Sequence, residues 1–196
     1  MIIIFGTNDI AQLANFYLHT DSEHMVGAFC VDGQFVKEDH FEGLPVVPFE
    51  DIDVEFPPGK NQFFAPLYDN RLREQKADGI KAKGYELISY VSSKATVWSD
   101  VGKNCFVMED NTIQPFVNIC DNLVMWSGNH IGHHSTIGDS VFFSSHVVLA
   151  GHCEVGRYCW FGINSTIRDH VRLSEETYVC MGASVTHDTI PGQRCK

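Results

Sequence analysis

The sequence predicts two domains of different fold class, an α/β domain followed by a parallel β-helix. Residues 2–31 read as strand, helix and strand, and an apolar residue recurs at every sixth position from Val101 to Val185. A helical period near 3.6 would scatter those positions around the axis, and a simple strand would alternate with a period of two. An unbroken six-residue period is typical of short strands joined by turns, which is the pattern of a hexapeptide solenoid.

The α/β part begins with a strand at Ile2–Phe5, a helix at Asp9–His19 and a second strand at Val26–Val31. This βαβ unit is half of a Rossmann-like nucleotide-binding sheet. Further strands are predicted at residues 44–47, 63–67 and 87–91, and a charged helix at residues 70–82. The predicted domains are therefore residues 1–92 and residues 93–196.

Ligands of open α/β sheets bind at the carboxyl ends of the strands. Gly6, Thr7, Asn8 and Asp32 follow the first two strands and are the candidate ligand-binding residues of this domain. Only Gly6 of a G-x-G-x-x-G fingerprint is present, which argues against a dinucleotide. The alternative is a small α/β domain that only packs on the solenoid.

Composition narrows the possible partners. The formal net charge is −11 and the isoelectric point is about 5.2, whereas nucleic acids and anionic membranes require clustered Lys and Arg. The first residues have neither a basic segment nor a long apolar stretch, so no signal peptide and no membrane insertion are expected.

The seven cysteines contain no C-x-x-C pair, and Cys105, Cys153 and Cys159 fall on inward positions of the solenoid. We expect a cytoplasmic protein with reduced thiols.

The histidines of the solenoid have a distinctive placement. His133 and His134 come two and three residues after the inward Ile131, which predicts that they point outward at a turn. Three hexapeptides make a coil of 18 residues, so His134, His152 and His170 should stack on successive coils about 4.8 Å apart. Neighbouring imidazoles disfavour one another's protonation, which keeps nearby bases neutral. A metal site is the other interpretation of this column.

Three stretches resemble the bacterial sugar acyltransferases that include sialic-acid O-acetyltransferases and the N-acetyltransferases of bacillosamine and perosamine synthesis. They are residues 126–139 (WSGNHIGHHSTIGD), residues 144–151 and residues 162–168. The resemblance implies a left-handed β-helix, a nucleotide-linked sugar bound by the first domain, and acetyl-CoA bound along the solenoid between subunits of a homotrimer. The family's catalytic histidine matches His133. An acidic residue often follows it in the bacillosamine-type enzymes, and here His134 takes that place.

The resemblance and acyl-transfer chemistry together assign roles to individual residues. A neutral imidazole suits a general base, so His133 would deprotonate the sugar amine or hydroxyl as it attacks the thioester, with His134 beside it. Gly151 would offer its backbone N–H to the oxyanion. Ile163, Asn164 and Gly182 would line the pantetheine groove. An acyl-cysteine is disfavoured because no cysteine lies beside His133 in the sequence.

Two other functions remain open. A non-catalytic trimeric scaffold could use the first domain as a ligand sensor. A zinc enzyme like the γ-class carbonic anhydrases would share the solenoid, but those enzymes use a histidine pair five residues apart, which the solenoid lacks; no metal is therefore expected. The trimer is further favoured by the outward apolar residues Trp126, Phe142 and Trp160, which an isolated solenoid would leave in water.

Overall fold

The computed structural model describes the whole chain, residues 1–196, as two compact units, Met1–Ile88 and Ser89–Lys196. The division lies at residue 88, whereas the sequence predicts it at residue 92. The reason is Ser89: its hydroxyl donates to the carbonyl oxygen of Gly102 at 2.7 Å and accepts from the backbone N–H of Cys105 at 2.9 Å. The chain is therefore already held by the first solenoid coil at Ser89.

The first unit is a mostly parallel six-stranded sheet with helices. Its strands are β1 (Ile2–Phe5), β2 (Val26–Val31), β3 (His40–Phe41), β4 (Leu44–Pro48), β5 (Gln62–Phe64) and β6 (Glu86–Leu87), in the order β3-β4-β2-β1-β5-β6. Its helices are α1 (Asp9–Asp21), α2 (Ile52–Glu55) and α3 (Asn70–Ala82). Only the β3–β4 pair is antiparallel.

Two local differences from the predicted elements have clear causes. The strand predicted to reach Leu67 ends at Phe64, because the backbone N–H of Leu67 turns back to the carbonyl oxygen of Ala65. The loop that follows is fixed by Arg73, a fully buried side chain in α3. Its guanidinium donates to the carbonyl oxygens of Leu67 and Tyr68 and to the side-chain oxygen of Asn70. A buried cation of this kind is compatible with folding because these acceptors surround it.

The second unit is a parallel β-helix of two-residue strands in three sheets. Face A contains β8 (Thr96–Val97), β10 (Thr112–Ile113), β13 (His130–Ile131), β16 (Val148–Leu149), β19 (Thr166–Ile167) and β22 (Ser184–Val185). Face B contains β11 (Asn118–Ile119), β14 (Thr136–Ile137), β17 (Glu154–Val155) and β20 (Arg172–Leu173). Face C contains β7 (Tyr90–Val91), β9 (Phe106–Val107), β12 (Val124–Met125), β15 (Phe142–Phe143), β18 (Trp160–Phe161), β21 (Tyr178–Val179) and β23 (Arg194–Cys195).

The predicted coil length is confirmed by the strand pairing. Ile113 pairs with Ile131, and Ile131 pairs with Leu149, so each step along a face is 18 residues. The apolar residues of the hexapeptide series point inward and form one continuous core. Cys105, Cys153 and Cys159 are fully buried in that core, as predicted, and burial raises the pKa of the Cys159 thiol to about 12. These thiols are packing groups and not nucleophiles.

The turns between faces form three edges, named here by the faces that they join. Edge AB carries residues 133–134, 151–152 and 169–170; edge BC carries residues 121–122, 139–140 and 157–158; edge CA carries residues 127–128, 145–146, 163–164 and 181–182. The second residue of most turns has left-handed backbone geometry, as at His134 (φ 59°) and Asn164 (φ 57°). The turn therefore requires a positive φ at its second residue, even where that residue is not glycine.

The glycines that directly follow inward apolar residues of the hexapeptides lie where successive coils approach closely. Gly132 does not have a positive φ, but a Cβ atom there would lie 2.5 Å from the backbone of the next coil. Gly156 and Gly162 show the same close approach. These positions need glycine because successive coils touch there.

No helix of the structure is long and apolar enough to cross a bilayer.

Candidate functional site

His133 and His134 lie side by side on edge AB, and both rings are exposed. The predicted outward orientation is therefore present. The backbone N–H of His133 donates to Oε1 of Gln114 at 2.9 Å, which fixes the turn from the preceding coil. The two Nδ1 atoms are 3.0 Å apart, so one ring donates its Nδ1 proton to the other. When His133 is the donor, its Nε2 atom carries the free lone pair of a base.

Gly151 lies one coil further along the same edge, at the position equivalent to His133. A Cβ atom at residue 151 would come within 2.9 Å of Cε1 and 3.1 Å of Nε2 of His133. The imidazole therefore occupies the space that a side chain at residue 151 would take. The predicted base and the predicted oxyanion donor are neighbours in the structure.

The predicted histidine column is present. The ring centroids of His134 and His152 are 4.9 Å apart, and those of His152 and His170 are 4.7 Å apart, with the planes nearly parallel. Phe116 continues the column on the other side of His134 at 4.8 Å. His133 meets both His134 and His152 edge-on.

The column lowers the pKa of His152 below the ordinary value of 6.5. Partial desolvation is the main cause, followed by the neighbouring imidazoles of His170, His134 and His133, while Asp169 acts in the opposite direction. The neutral form of His152 is thus favoured in the folded state. This matches the expectation that stacked imidazoles oppose protonation, although desolvation makes the larger contribution.

A titration checks this effect. We expect the ring protons of His152 to titrate by NMR with a midpoint below 6.5, and His170→Asn to raise that midpoint by removing one imidazole. Because the folded-state pKa is the lower one, the unfolded chain binds more protons just below pH 6.5, and this group's contribution to stability decreases as the pH falls through that range. A midpoint at or above 6.5 in the unmodified chain would refute the assigned electrostatics.

A shallow groove of about 740 Å³ runs beside the column along face B. The sequence did not predict it. Its lining includes His134, His152 and His170 on one side and an exposed ion pair on the other, in which Arg172 contacts Glu154 at 2.7 Å. The groove is open and most of its lining residues are polar or charged, so it suits an extended, charged ligand better than a compact apolar one.

The predicted acetyl-CoA residues do not lie together within one chain. Gly151 is on edge AB, whereas Ile163, Asn164 and Gly182 are on edge CA. Those three are exposed, and the backbone N–H of Gly182 donates to the carbonyl oxygen of Ile163 at 2.8 Å. A side chain at residue 182 would contact nothing within 4 Å, so its glycine is explained only by its positive φ of 69°.

The aromatic residues invoked for the trimer are less exposed than predicted. Phe142 is only 3% exposed, and its ring stacks on Trp160 at a centroid distance of 3.8 Å. Trp126 and Trp160 are half-buried. Instead, edge CA presents Ile163 and Met181, which are 44% and 74% exposed. The prediction that Phe142 is exposed was wrong. The sequence pattern shows that its ring points out of the core, but it does not show that Trp160 on the same face covers the ring.

The four candidate ligand residues of the first unit follow β1 and β2, as predicted. Gly6 is buried with φ 123°, and the side chain of Asn8 caps α1 by accepting from the backbone N–H of Ala11. Asp32 is held by Lys76, whose ammonium lies 2.6 and 2.7 Å from the two carboxylate oxygens. Asp32 therefore has a basic partner that the sequence did not reveal.

Thr7 lines a small pocket of about 220 Å³. The other lining residues are Lys37, Glu38, His40, Phe41 and Val46. These come from the segment around β3 and β4, which carries no motif, so no sequence signal pointed to them. The pocket combines an aromatic ring, a hydroxyl and a cation at the carboxyl end of β1.

No protein-family model matches the chain. Among curated proteins, it is 24% identical over 127 residues to the acyl-(acyl-carrier-protein)-UDP-N-acetylglucosamine O-acyltransferase of Campylobacter concisus, a match that covers 58% of this chain and 48% of that protein. The chain spans about half the length or less of the curated relatives that it matches.

Several solved structures match over the entire chain. PerB from Caulobacter crescentus, in complex with CoA and GDP-perosamine, superposes with a TM-score of 0.90 at 21% identity and is covered over 95% of its length. The chain resembles the hexapeptide-repeat acyltransferases and shares their fold. The acetyltransferase domain of PglB from Neisseria gonorrhoeae, in complex with acetyl coenzyme A, superposes with a TM-score of 0.88 at 17% identity over 97% of its length. The resemblance inferred from residues 126–168 is confirmed.

Proposed function

We propose that this protein transfers an acetyl group from acetyl-CoA to an amino or hydroxyl group of a nucleotide-linked sugar, a reaction of bacterial surface-glycan biosynthesis. The observation that carries the proposal is the exposed imidazole of His133, which lies over the backbone of Gly151 and is hydrogen-bonded at Nδ1 to His134. The matched structures support the ligand classes, since PerB holds CoA and GDP-perosamine and the PglB domain holds acetyl coenzyme A. The left-handed coil and the Rossmann-like character of the first unit are part of the same proposal.

In the proposed reaction, Nε2 of His133 removes the proton of the acceptor as the acceptor attacks the thioester carbonyl. The tetrahedral intermediate then collapses with cleavage of the C–S bond, and the imidazolium of His133 returns the proton to the departing CoA thiolate. Nδ1 of His134 accepts a hydrogen bond from the Nδ1–H group of His133, which holds the His133 ring in the tautomer that leaves Nε2 free and stabilises the imidazolium that forms. The backbone N–H of Gly151 faces the developing oxyanion. Proton transfer of this kind contributes roughly 10²- to 10⁴-fold to a rate.

The active site would be completed by a second subunit. Edge AB carries the base and edge CA carries Ile163, Asn164 and Gly182, and in one chain they are different edges of the coil. A homotrimer with three-fold symmetry would place edge AB of one subunit near edge CA of the next, and would cover the exposed apolar residues Ile163 and Met181. The acetyl-CoA chain would then run between subunits.

The trimer is directly testable. We expect light scattering at micromolar concentration to give three times the mass of the 22.0 kDa chain. Met181→Lys should shift the population toward the monomer, because a charge would be buried at the interface. Met25→Lys is the matched control, since Met25 is similarly exposed at 73% but lies in the first unit. A monomeric unmodified chain would reject both the trimer and the intersubunit site.

The first unit would select the acceptor. Thr7 and the pocket with Lys37 and Phe41 lie at the carboxyl end of β1, and the Asp32–Lys76 pair lies at the carboxyl end of β2. Open α/β sheets bind nucleotides at this end. Because acetyl-CoA is a cytoplasmic metabolite, the reaction would take place in the cytoplasm.

We expect Asp32→Ala to raise KM for the sugar nucleotide and to leave KM for acetyl-CoA nearly unchanged. Loss of the carboxylate would remove a ligand contact and release Lys76. Asp53→Ala is the matched control, because Asp53 forms a similar ion pair with Lys83 at 2.7 Å but follows no strand end of the proposed site. Steady-state kinetics with each substrate varied in turn give the two KM values. Equal changes in both would mean that the sugar binds elsewhere.

Incubation with acetyl-CoA and a panel of nucleotide sugars, read as an acetyl mass shift, tests the function itself. The alternative of a non-catalytic trimeric scaffold predicts no mass shift with any acceptor. It also predicts no thermal stabilisation by acetyl-CoA, because only a ligand that binds the native state raises the melting temperature.

A further inference from the structure

Edge AB brings together three imidazoles, although the proposed acetyl transfer needs only one base. The ring nitrogens that His133, His134 and His152 can offer to an ion all lie within 4.8 Å of one another, and all three side chains are exposed. We propose that these three histidines form a reversible Zn²⁺ site, and that the bound ion inhibits the enzyme by occupying the base. The inhibition rests on the proposed function; the binding does not.

The ligand set matches the chemistry of zinc. Zn²⁺ binds imidazole nitrogen at about 2.0–2.1 Å in tetrahedral geometry, which places neighbouring ligand nitrogens roughly 3.3 Å apart. The Nδ1 atoms of His133 and His134 are already 3.0 Å apart. Three histidines leave the fourth position to water, the arrangement of an accessible zinc site.

Only small side-chain movements are needed. The rings of His134 and His152 are stacked with an interplanar angle of 14°, so their lone pairs run parallel and one ring must turn about χ2 to face the ion. Both rings lie at the solvent-exposed edge, and the χ2 torsion of histidine has a broad, shallow profile. The edge-on ring of His133, 88° from that of His152, already approaches from a different direction.

The backbone holds the cluster in place. His134 and His152 occupy the left-handed turn positions of successive coils, with φ 59° and 60°, and the N–H of His152 donates to the carbonyl oxygen of His133 at 2.9 Å. The three Cα positions are therefore fixed by the solenoid before any ion arrives, which limits the entropy lost on binding. Each neutral ring gives one lone pair and keeps its N–H on the other nitrogen, so three Zn–N bonds form without net loss of a proton.

Bound zinc would block catalysis by direct competition. The Nδ1 hydrogen bond between His133 and His134 would be replaced by two bonds to the ion, and the ring of His133 would no longer be held over Gly151 with Nε2 free for the acceptor. Removal of the ion by a chelator would restore the hydrogen bond and the activity.

The test is equilibrium dialysis of the tag-free protein, residues 1–196, with Zn²⁺ at neutral pH, together with the visible absorption bands of bound Co²⁺. We expect one ion per chain. Each of His134→Asn and His152→Asn should weaken binding about tenfold or more, since loss of a direct ligand costs at least as much as loss of an outer-shell partner. Asn suits these left-handed positions, as Asn164 does on edge CA.

His146→Asn is the matched control, because His146 is an exposed turn histidine with the same φ of 59° on edge CA. It should bind zinc as the unmodified chain does. Equal weakening by His146→Asn, or full binding by the double variant His134→Asn/His152→Asn, would overturn the site. Binding is measured without substrates, so an absence of acetyl transfer with every acceptor would reject the proposed function and leave the zinc result intact. Activity that zinc leaves unchanged in a protein that binds it would reject only the inhibition.

Discussion

Replacing His133 with alanine should lower kcat by about 10²- to 10⁴-fold, the range that general-base catalysis contributes. The fold and the proposed trimer should persist, because the ring is exposed and lies outside the apolar core. Steady-state kinetics with saturating acetyl-CoA measure the loss, and circular dichroism and light scattering check the structure. A hydroxyl acceptor should depend on the base more steeply than an amine, whose small neutral fraction attacks unaided.

Two comparisons make this result specific. His134→Ala should reduce kcat less than His133→Ala, because His134 acts on the reaction only through the ring to which it is hydrogen-bonded. His146→Ala, an exposed turn histidine on another edge, should cost less than His133→Ala. Full activity of His133→Ala combined with a large loss in His146→Ala would place the base on edge CA.

A single methyl group at residue 151 should also inactivate the enzyme. In Gly151→Ala, the new Cβ atom would lie 2.9 Å from Cε1 of His133, so the imidazole must move. A displacement of about 1 Å at a catalytic group costs on the order of 10²-fold in rate. We expect kcat to fall by about that factor while the melting temperature stays nearly constant, because the equivalent positions of neighbouring coils, His133 and Asp169, already carry side chains.

Gly132→Ala is the control that separates this effect from a damaged fold. Its Cβ atom would meet the backbone of Ala150 and Gly151 at 2.5 Å, and backbone cannot move aside as a side chain can. Overpacking of this kind costs about 1–3 kcal/mol, or a decrease of several degrees in melting temperature at roughly 2–4 °C per kcal/mol for a chain of this size. A Gly151→Ala protein with full activity would show that the position of the His133 ring over Gly151 is not needed for catalysis.

The periodic parts of the structure could be predicted from the sequence because they depend on local pattern. The six-residue spacing of apolar residues places Ile131, Ile137 and Phe143 inward, and the observed pairing steps by 18 residues as that spacing requires. The same arithmetic predicts that His134, His152 and His170 form a column, since residues one coil apart occupy equivalent positions. The strand, helix and strand at the start of the chain follow from apolar patterns with periods of two residues for the strands and 3.6 residues for the helix.

Only the tertiary structure determined what happens between residues that no period links. The ring of His133 lies over Gly151 because its side chain bends toward the next coil, a rotamer choice that spacing does not encode. The ammonium of Lys76 contacts the carboxylate of Asp32, although 44 residues separate them in the sequence. The ring of Phe142 is covered because it stacks on Trp160. The other residues that line the Thr7 pocket come from a segment without a motif. A repeat specifies which residues share an edge, whereas contacts across the sheet and side-chain directions depend on packing of the whole chain. The candidate site residues could therefore be proposed from the sequence, but their geometry could not.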